Sequence, residues 1–245
     1  MFLWIGAPNP RKGYPLMLEA IKLAEHIPEW EIYIKTTMPK VSWFDVPRIF
    51  FKNWRKILRR GQSDEREKLL DMLQRLPKPY YRDRLMRLGK HKNIVFDTRV
   101  LPFEELRQLY NTANCFILPT LGEGWGLTLC EAMATGCPCI ATNVTGVSDF
   151  FNDDVGYSIK HYIKEFPMRD FKLLARGYVP DAKDMIEKMI HVYKYYREAL
   201  KKGKKASDRI HSKFTWEKSG ERLKDILVKF DNWRKSDGNY NEGNS

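Results

Sequence analysis

The sequence predicts a Rossmann-like α/β domain, with a doubly wound parallel sheet of about six strands and helices on both faces. Short apolar runs alternate along the chain with stretches that carry apolar residues at helical spacing. Two parallel strands need a crossover connection, and an intervening helix supplies it. The chain has 245 residues, of which 43% are apolar and 30% charged. It can therefore bury a core without disulfides or metal ions.

The predicted strands are short runs rich in β-branched and aromatic residues. They lie at residues 2–6, 31–37, 93–97, 115–119, 138–142 and, as a sixth, 156–159. In a parallel sheet of this kind, ligands bind beyond the carboxyl ends of the strands. We therefore expect a site in the loops that follow the strands.

The predicted helices lie at residues 14–26, 103–113, 127–135, 181–200 and 216–233. No internal repeat or Ser/Gly linker divides the chain, so we predict one domain over residues 1–235. A basic insertion at about residues 38–92 separates the second and third strands. Residues 236–245 are expected to form a disordered tail.

The net charge is +12, which favours an anionic partner such as a nucleotide, a lipid head group or a nucleic acid. The four cysteines fall in predicted core elements and are expected to be reduced thiols, and the five histidines show no catalytic or metal-ligand spacing. No apolar run approaches the length of a spanning helix, and the first residues do not resemble a signal peptide. We therefore expect a cytoplasmic protein.

The strongest local signal is the segment 119–142, in which a buried strand runs through a glycine-containing loop into a helix. Gly122, Gly124 and Gly126 let a ligand approach the backbone closely. The amides of Leu127 and Thr128 stand at the positive end of the helix dipole. This arrangement suits a diphosphate, although a tight strand-to-helix turn alone would also use glycine.

Two carboxylates flank the start of this helix. Glu123 precedes it and Glu131 lies just over one turn inside it, so both could accept hydrogen bonds from sugar hydroxyls beside a bound diphosphate. The alternative is that Glu131 is a solvated helix residue and that Glu123 only stabilises the helix dipole.

Three stretches resemble the donor-binding half of retaining, GT-B-fold nucleotide-sugar transferases of the glycosyltransferase family 4 (group 1) type. They are FLWIGAPNPRKGYPLMLEAI at the start, residues 93–151 in the centre, and FTWEKSGERL near the end. The resemblance implies a UDP- or GDP-sugar as donor and a glycan or lipid-linked acceptor for the transferred hexosyl group. It implies no metal cofactor, because backbone amides and a lysine would neutralise the diphosphate.

The resemblance also implies roles for particular residues. Lys12 would stabilise the departing diphosphate, and Glu123 would hold the sugar and favour its cationic transition state, so these two are the predicted catalytic residues. Glu131 would bind the ribose hydroxyls. The predicted donor-binding positions are completed by a set of loop residues, namely Gly6, Arg11, Arg99, Val100, Gly124, Gly126, Leu127 and Thr128.

The chain departs from the family pattern in two respects. Gly6 is followed by Ala7, where many members have arginine, and Arg11 is the candidate substitute. The N-terminal acceptor-binding half of the family would precede Phe2, so we expect it to be a separate chain or the missing part of a larger enzyme. A non-catalytic nucleotide-sugar-binding module or pseudoenzyme that partners an acceptor-binding chain is the alternative.

Residues 47–60, PRIFFKNWRKILRR, carry six basic and no acidic side chains. On a helix their apolar residues would share one side, which fits contact with the inner face of an anionic membrane. An amphipathic helix packed on the domain would show the same pattern. A nucleic acid is the less favoured partner, because the aromatic residues share the apolar side and no nucleic-acid motif occurs.

Overall fold

The computed structural model describes residues 1–8, 10–24, 26–36, 85–88, 92–167 and 174–237. Most of the predicted basic insertion, including the basic segment 47–60, lies outside these residues. So does the predicted tail beyond Asp237.

Seven strands form one sheet in the order β3-β4-β2-β1-β5-β6-β7. They are β1 (Phe2–Ile5), β2 (Ile32–Lys35), β3 (Leu85–Leu88), β4 (Ile94–Asp97), β5 (Cys115–Leu118), β6 (Cys139–Ala141) and β7 (Tyr157–Ser158). Six of them, in the sheet order β4-β2-β1-β5-β6-β7, are parallel, which confirms the predicted sheet. Strand β3 pairs antiparallel with β4 at one edge and falls inside the predicted insertion.

Helices cover both faces of the sheet. They are α1 (Tyr14–Ala24), α2 (Phe103–Thr112), α3 (Leu127–Ala134), α4 (Ala182–Lys194), α5 (Tyr196–Lys213) and α6 (Trp216–Asp237). Short 3₁₀ turns occur at Pro10–Lys12 and Thr145–Asp149. Helices α1 and α4 enclose one apolar core, and α2, α3 and α5 enclose the other. Both layers are needed because both faces of a parallel sheet are apolar.

The alternation of side chains along the central strands explains the two cores. In β1, Phe2 and Trp4 belong to the core beneath α1, whereas Leu3 packs on the opposite side. In β5, Ile117 and Phe116 divide in the same way. The Rossmann-like fold predicted from the sequence is therefore present.

The single helix predicted at residues 181–200 is wrong, because Tyr195 interrupts it. Tyr195 adopts φ −117° and ψ 46°, outside the helical region, so α4 ends at Lys194 and α5 begins at Tyr196. The periodicity of apolar residues continues across the break, which is why the sequence pattern did not reveal it. The start is as predicted, since the Asp181 carboxylate caps α4 by accepting from the amides of Lys183 and Asp184.

A two-stranded hairpin separate from the main sheet was not predicted. Strands β8 (His161–Pro167) and β9 (Leu174–Pro180) pair antiparallel between β7 and α4. Several of its side chains face solvent, including Tyr162 at 58% exposure. In β8 the side chains from His161 to Glu165 are all exposed, so this strand lacks the apolar alternation that identifies strands in a sequence.

Helix α6 extends the predicted 216–233 helix to Asp237 and so includes the first two residues of the predicted tail. Its large apolar residues are at least half exposed, and they are Trp216, Leu223, Ile226, Leu227, Val228, Phe230 and Trp233. Among the described residues no helix combines the length and apolarity needed to cross a bilayer.

Candidate functional site

The loop after β1 and the loop after β5 interlock at the carboxyl edge of the sheet. The Leu121 amide donates to the Arg11 carbonyl at 2.8 Å, and the Thr120 hydroxyl lies 2.9 Å from the same oxygen. Gly13 makes this approach possible: it has φ +72°, and a Cβ there would lie 1.8 Å from the Pro119 carbonyl oxygen. Only glycine fits such a contact.

The interlocking loops bring three charged side chains together. The Lys12 ammonium is 2.7 Å from Glu123 Oε1, and the Arg11 guanidinium is 3.3 Å from Glu123 Oε2. The Glu123 side chain is only 6% exposed, whereas that of Arg11 is 57% exposed. Two cations thus meet one carboxylate, which leaves a net positive charge at the edge of the sheet.

The loop that carries Glu123 is held from behind by two further segments. The Glu123 amide donates to the Thr145 hydroxyl at 2.9 Å, and the Gly146 amide donates to the Glu123 carbonyl at 3.2 Å. On the outer side, the Tyr178 amide of β9 donates to the Leu121 carbonyl at 3.0 Å. The hairpin therefore supports the loop through its backbone.

Helix α3 begins directly after this loop. Its N-cap residue, Gly126, has φ 94° and ψ 49°, a left-handed conformation, and supplies no side-chain cap. The first amides of a helix have no partner within it, so those of Leu127 and Thr128 are available at the positive end of the dipole. Leu127 is 64% exposed, and a Cβ on Gly124 would meet no atom within 4 Å. An anion can therefore reach these amides.

Glu131 lies further along α3 and has a different partner. The hydroxyl of Tyr110, in α2, donates to Glu131 Oε2 at 2.7 Å. Tyr110 is only 3% exposed, whereas Glu131 is exposed. Burial and the neighbouring carboxylate raise the pKa of Tyr110 above its ordinary value, so the phenol remains a donor.

The loop after β4 contains Arg99 and Val100. The Arg99 guanidinium donates twice to the Asp97 carboxylate, at 3.0 and 2.9 Å, and the Tyr33 hydroxyl donates to the same carboxylate at 2.7 Å. Val100 projects outward and is 81% exposed. The Arg99 side chain therefore fixes its own loop, and Val100 is the outermost residue of the pair.

The charged groups behind this loop are buried. Burial opposes ionisation of Asp97, but donation from Arg99 and Tyr33 outweighs it and holds the pKa of Asp97 below its usual value. Lys35 is 5% exposed and donates to the Arg99 carbonyl at 2.5 Å. Burial lowers the pKa of Lys35, and the charge of Asp97 opposes that effect.

The contacts of the predicted charged site residues fall into three groups. Arg11, Lys12 and Glu123 are in contact, Glu131 contacts Tyr110, and Arg99 and Val100 lie on the loop after β4. Gly6 directly follows β1, and its amide donates to the Lys35 carbonyl at 3.1 Å.

Several residues that organise the site were not predicted. They are Tyr33, Lys35, Asp97, Tyr110, Thr120 and Thr145. For Asp97 and Thr120, a signal was present, since polar residues that end buried strands stand at the ligand edge. The others act across long sequence separations that no local pattern encodes.

Three or more His, Cys, Asp or Glu side chains that could share a metal ion do not occur together in the part of the chain that the structure describes. All four cysteines are free, and Cys115, Cys137 and Cys139 are buried. Burial raises the pKa of each of these three thiols, which keeps them protonated and unreactive.

The family model for glycosyl transferases group 1 matches residues 48–193, more than half of the chain. The chain belongs to this family. The capsular polysaccharide biosynthesis glycosyltransferase CapM of Staphylococcus aureus is 32% identical over 122 residues, which are 49% of this chain and 27% of that protein. Matches to the curated relatives span only 14% to 32% of their lengths.

Solved structures share the fold. The C-terminal domain of the group 1 glycosyl transferase LpcC from Francisella tularensis superposes with a TM-score of 0.55 at 17% identity, covering 88% of this chain and 86% of that one. HepE from Anabaena, solved with UDP and glucose, superposes with a TM-score of 0.57 at 11% identity, covering 93% of this chain and 48% of that one. The chain therefore corresponds to about half the length of HepE.

Proposed function

We propose that this domain binds the nucleotide-sugar donor of a retaining glycosyltransferase. The observation that carries the proposal is the meeting of Lys12 and Arg11 with Glu123 just before the N-terminus of α3. Cations and open helix amides suit a diphosphate, and a carboxylate beside them suits a sugar. The UDP and glucose bound by HepE agree with this class of ligand.

In the proposed complex the diphosphate contacts Lys12, Arg11 and the amides of Leu127 and Thr128. The bond between the anomeric carbon and the diphosphate oxygen breaks with its electron pair on oxygen, so negative charge grows there. Groups already fixed toward that charge stabilise the transition state more than the ground state. Arg11 takes the place of the arginine that is absent at Ala7. On this proposal the site needs no metal ion.

Glu123 has the complementary role at the sugar. As the glycosidic bond breaks, positive charge develops on the sugar ring, and a carboxylate nearby stabilises it. Its backbone is fixed by Thr145 and Gly146, so little reorganisation is required. Glu131 would hold the ribose, and Arg99 with Val100 would border the base.

The remaining parts of the proposal concern the acceptor. The transferred hexosyl group would pass to a glycan or a lipid-linked acceptor held by another domain or chain, with Glu123 and Lys12 as the catalytic residues on this side. Residues 47–60 would add a contact with the inner, cytoplasmic face of an anionic membrane. Flotation with anionic vesicles at physiological salt tests that contact, and absence of the protein from the vesicle fraction removes it.

Calorimetric titration with UDP-sugars and GDP-sugars tests the donor site. Lys12→Met should weaken binding of the preferred donor by about tenfold or more, because a charge-assisted contact to phosphate is lost. Lys22→Met is the matched control, since Lys22 lies on α1 and, among the residues that the structure describes, forms an ion pair only with Glu19. Absence of binding by the unaltered protein, or equal losses in both variants, would refute the donor site.

The second candidate is a nucleotide-sugar-binding module without activity, and Ala7 favours it because a phosphate contact of the family pattern is missing there. Both functions predict binding of the donor. Incubating the donor-bound protein with acceptor-binding partner domains and measuring release of the nucleoside diphosphate separates them. Release that Glu123→Ala abolishes supports the transferase, and binding without release supports the module.

A further inference from the structure

The hydrogen bond between Tyr110 and Glu131 joins a buried residue to an exposed one. Tyr110 is held in the core between α2 and the sheet, and its ring lies 5.8 Å from that of Phe116. Its hydroxyl reaches Glu131 Oε2 at 2.7 Å. A ring packed in this way cannot follow a moving carboxylate, so the carboxylate is held where the ring presents its hydroxyl.

The partner of Glu131 is neutral, in contrast to the cations beside Glu123. A tyrosine hydroxyl donates one hydrogen bond and leaves the negative charge of the carboxylate uncompensated. Burial first, and the charge of Glu131 second, raise the pKa of Tyr110, so its proton stays in place at neutral pH. Within the described part of the chain, no group donates a hydrogen bond to Glu131 Oε1, so this oxygen can accept from a ligand.

We propose that Tyr110 is a positioning residue that fixes Glu131 for the ribose hydroxyls of the donor, and so makes the site select ribonucleotides over deoxyribonucleotides. The inference rests on the proposed function, because it concerns the same donor. Tyr110 would not touch the ligand. It would act by holding one carboxylate oxygen so that the other meets the sugar at a fixed position.

The selectivity has a simple physical source. A carboxylate fixed toward a hydroxyl gains a charge-assisted hydrogen bond from ribose and leaves a desolvated acceptor unpaired when the hydroxyl is missing. If Glu131 were free to rotate, it could turn to water in the deoxy complex, and the difference between the two ligands would shrink. Fixation by Tyr110 thus sets the size of the discrimination.

The experiment measures dissociation constants of the full chain for UDP, GDP and their 2′-deoxy forms by calorimetry. For the unaltered protein we expect the ribonucleotide to bind about tenfold more tightly than its deoxy form. Tyr110→Phe removes only the hydroxyl, and we expect the ratio to fall to about twofold, mainly through weaker binding of the ribonucleotide.

The matched control is Tyr157→Phe. Tyr157 is also a buried tyrosine that donates to a glutamate, since its hydroxyl lies 3.2 Å from Glu198 Oε1, but it belongs to β7 and contacts α5. We expect this variant to keep the full ribose preference. Melting temperatures of the two variants show whether any general loss of stability is comparable.

A second arm uses Glu131→Gln alone and combined with Tyr110→Phe. Because Tyr110 acts through Glu131, the double variant should prefer ribonucleotides over deoxyribonucleotides at least as strongly as Glu131→Gln alone. The effects of the two substitutions on this preference would then be non-additive. Additive losses would overturn the positioning role, as would an unchanged ribose preference in Tyr110→Phe. Equal binding of UDP and 2′-deoxy-UDP by the unaltered protein would also overturn it. Failure of the unaltered protein to bind any nucleotide would instead refute the proposed function.

Discussion

Two clusters of polar side chains around a carboxylate stand at the same edge of the sheet, and they differ in their exposure to ligands. In the Asp97 cluster, the carboxylate has no exposed surface and accepts hydrogen bonds from the Tyr33 hydroxyl and the Arg99 guanidinium. In the Glu123 cluster, the carboxylate is paired with Lys12 and Arg11. Glu123 is nearly as buried, but its partner Arg11 is more than half exposed. The Asp97 cluster is therefore internally satisfied and braces a loop, whereas the cations around Glu123 remain accessible to an anion.

The largest expected effect concerns the assembly of the Glu123 cluster. Gly13→Ala should lower the free energy of unfolding by about 2–4 kcal/mol, from the positive φ and from a Cβ forced against the Pro119 carbonyl. The separated loops should also lose nucleotide affinity. Chemical denaturation measures the first effect. Gly220→Ala is the control, because Gly220 lies inside α6 with open space around it, and it should raise stability by up to about 1 kcal/mol. Equal effects of the two substitutions would contradict the interlocked loops.

The next effect concerns the Asp97 cluster. Asp97→Asn keeps the shape of the side chain but leaves the buried Lys35 ammonium and the Arg99 guanidinium without a counter-charge. We expect a loss of about 2–3 kcal/mol, less than for a fully buried pair because Arg99 is partly exposed. Urea denaturation measures it. Glu104→Gln, which breaks an exposed pair with Arg107, should change the free energy of unfolding by less than about 0.5 kcal/mol. A loss as large as that of Asp97→Asn would show that burial does not distinguish the two ion pairs.

The pH dependence of stability follows from the same residue. The pKa of Asp97 is lower in the folded state than in the unfolded chain, so its ionised form favours folding. This contribution is complete above the unfolded pKa, about 3.9, and is lost as the pH falls through the folded value. Denaturation curves between pH 6 and the acid limit should therefore show a decline that is shallower in Asp97→Asn. Identical profiles would show that Asp97 is not the titrating group.

The smallest effect concerns competition for the cations. If Glu123 is an exchangeable partner of Lys12 and Arg11, then Glu123→Gln should tighten binding of a nucleoside diphosphate lacking the sugar. We expect a gain of about two- to fivefold, comparable to a partly exposed ion pair. Calorimetry with UDP and GDP measures it, and Glu19→Gln on α1 serves as the control. Weaker binding by Glu123→Gln would show that the carboxylate organises the cations for the ligand and does not compete with it.

The sheet was predictable from the sequence, but its charged clusters were only partly so. The parallel strands are continuous apolar runs because both faces are covered, and residues 115–118 illustrate this pattern. Lys12 and Glu123 were predicted as site residues from the family resemblance. Their direct contact was not predicted, because 111 positions separate them and only the interlocking at Gly13 brings them together.

The Asp97 cluster and the hairpin show the limits of local patterns. Tyr33 and Lys35 face one side of β2 and meet Asp97 only because β4 pairs beside β2 in the matching register. A sequence can indicate that two strands exist without indicating which strands are neighbours. The hairpin was missed for a different reason, since its exposed side chains follow no apolar alternation.

The bond between the Tyr178 amide and the Leu121 carbonyl has a consequence for substitutions remote from any ligand. It links β9 to the segment that leads to Glu123, so a displacement of β9 can also displace that segment. Tyr178→Pro would remove this hydrogen bond and leave the side chains of Arg11, Lys12 and Glu123 unaltered. Substitutions in β9 can therefore disturb the loop that carries Glu123, which β9 meets through a backbone hydrogen bond.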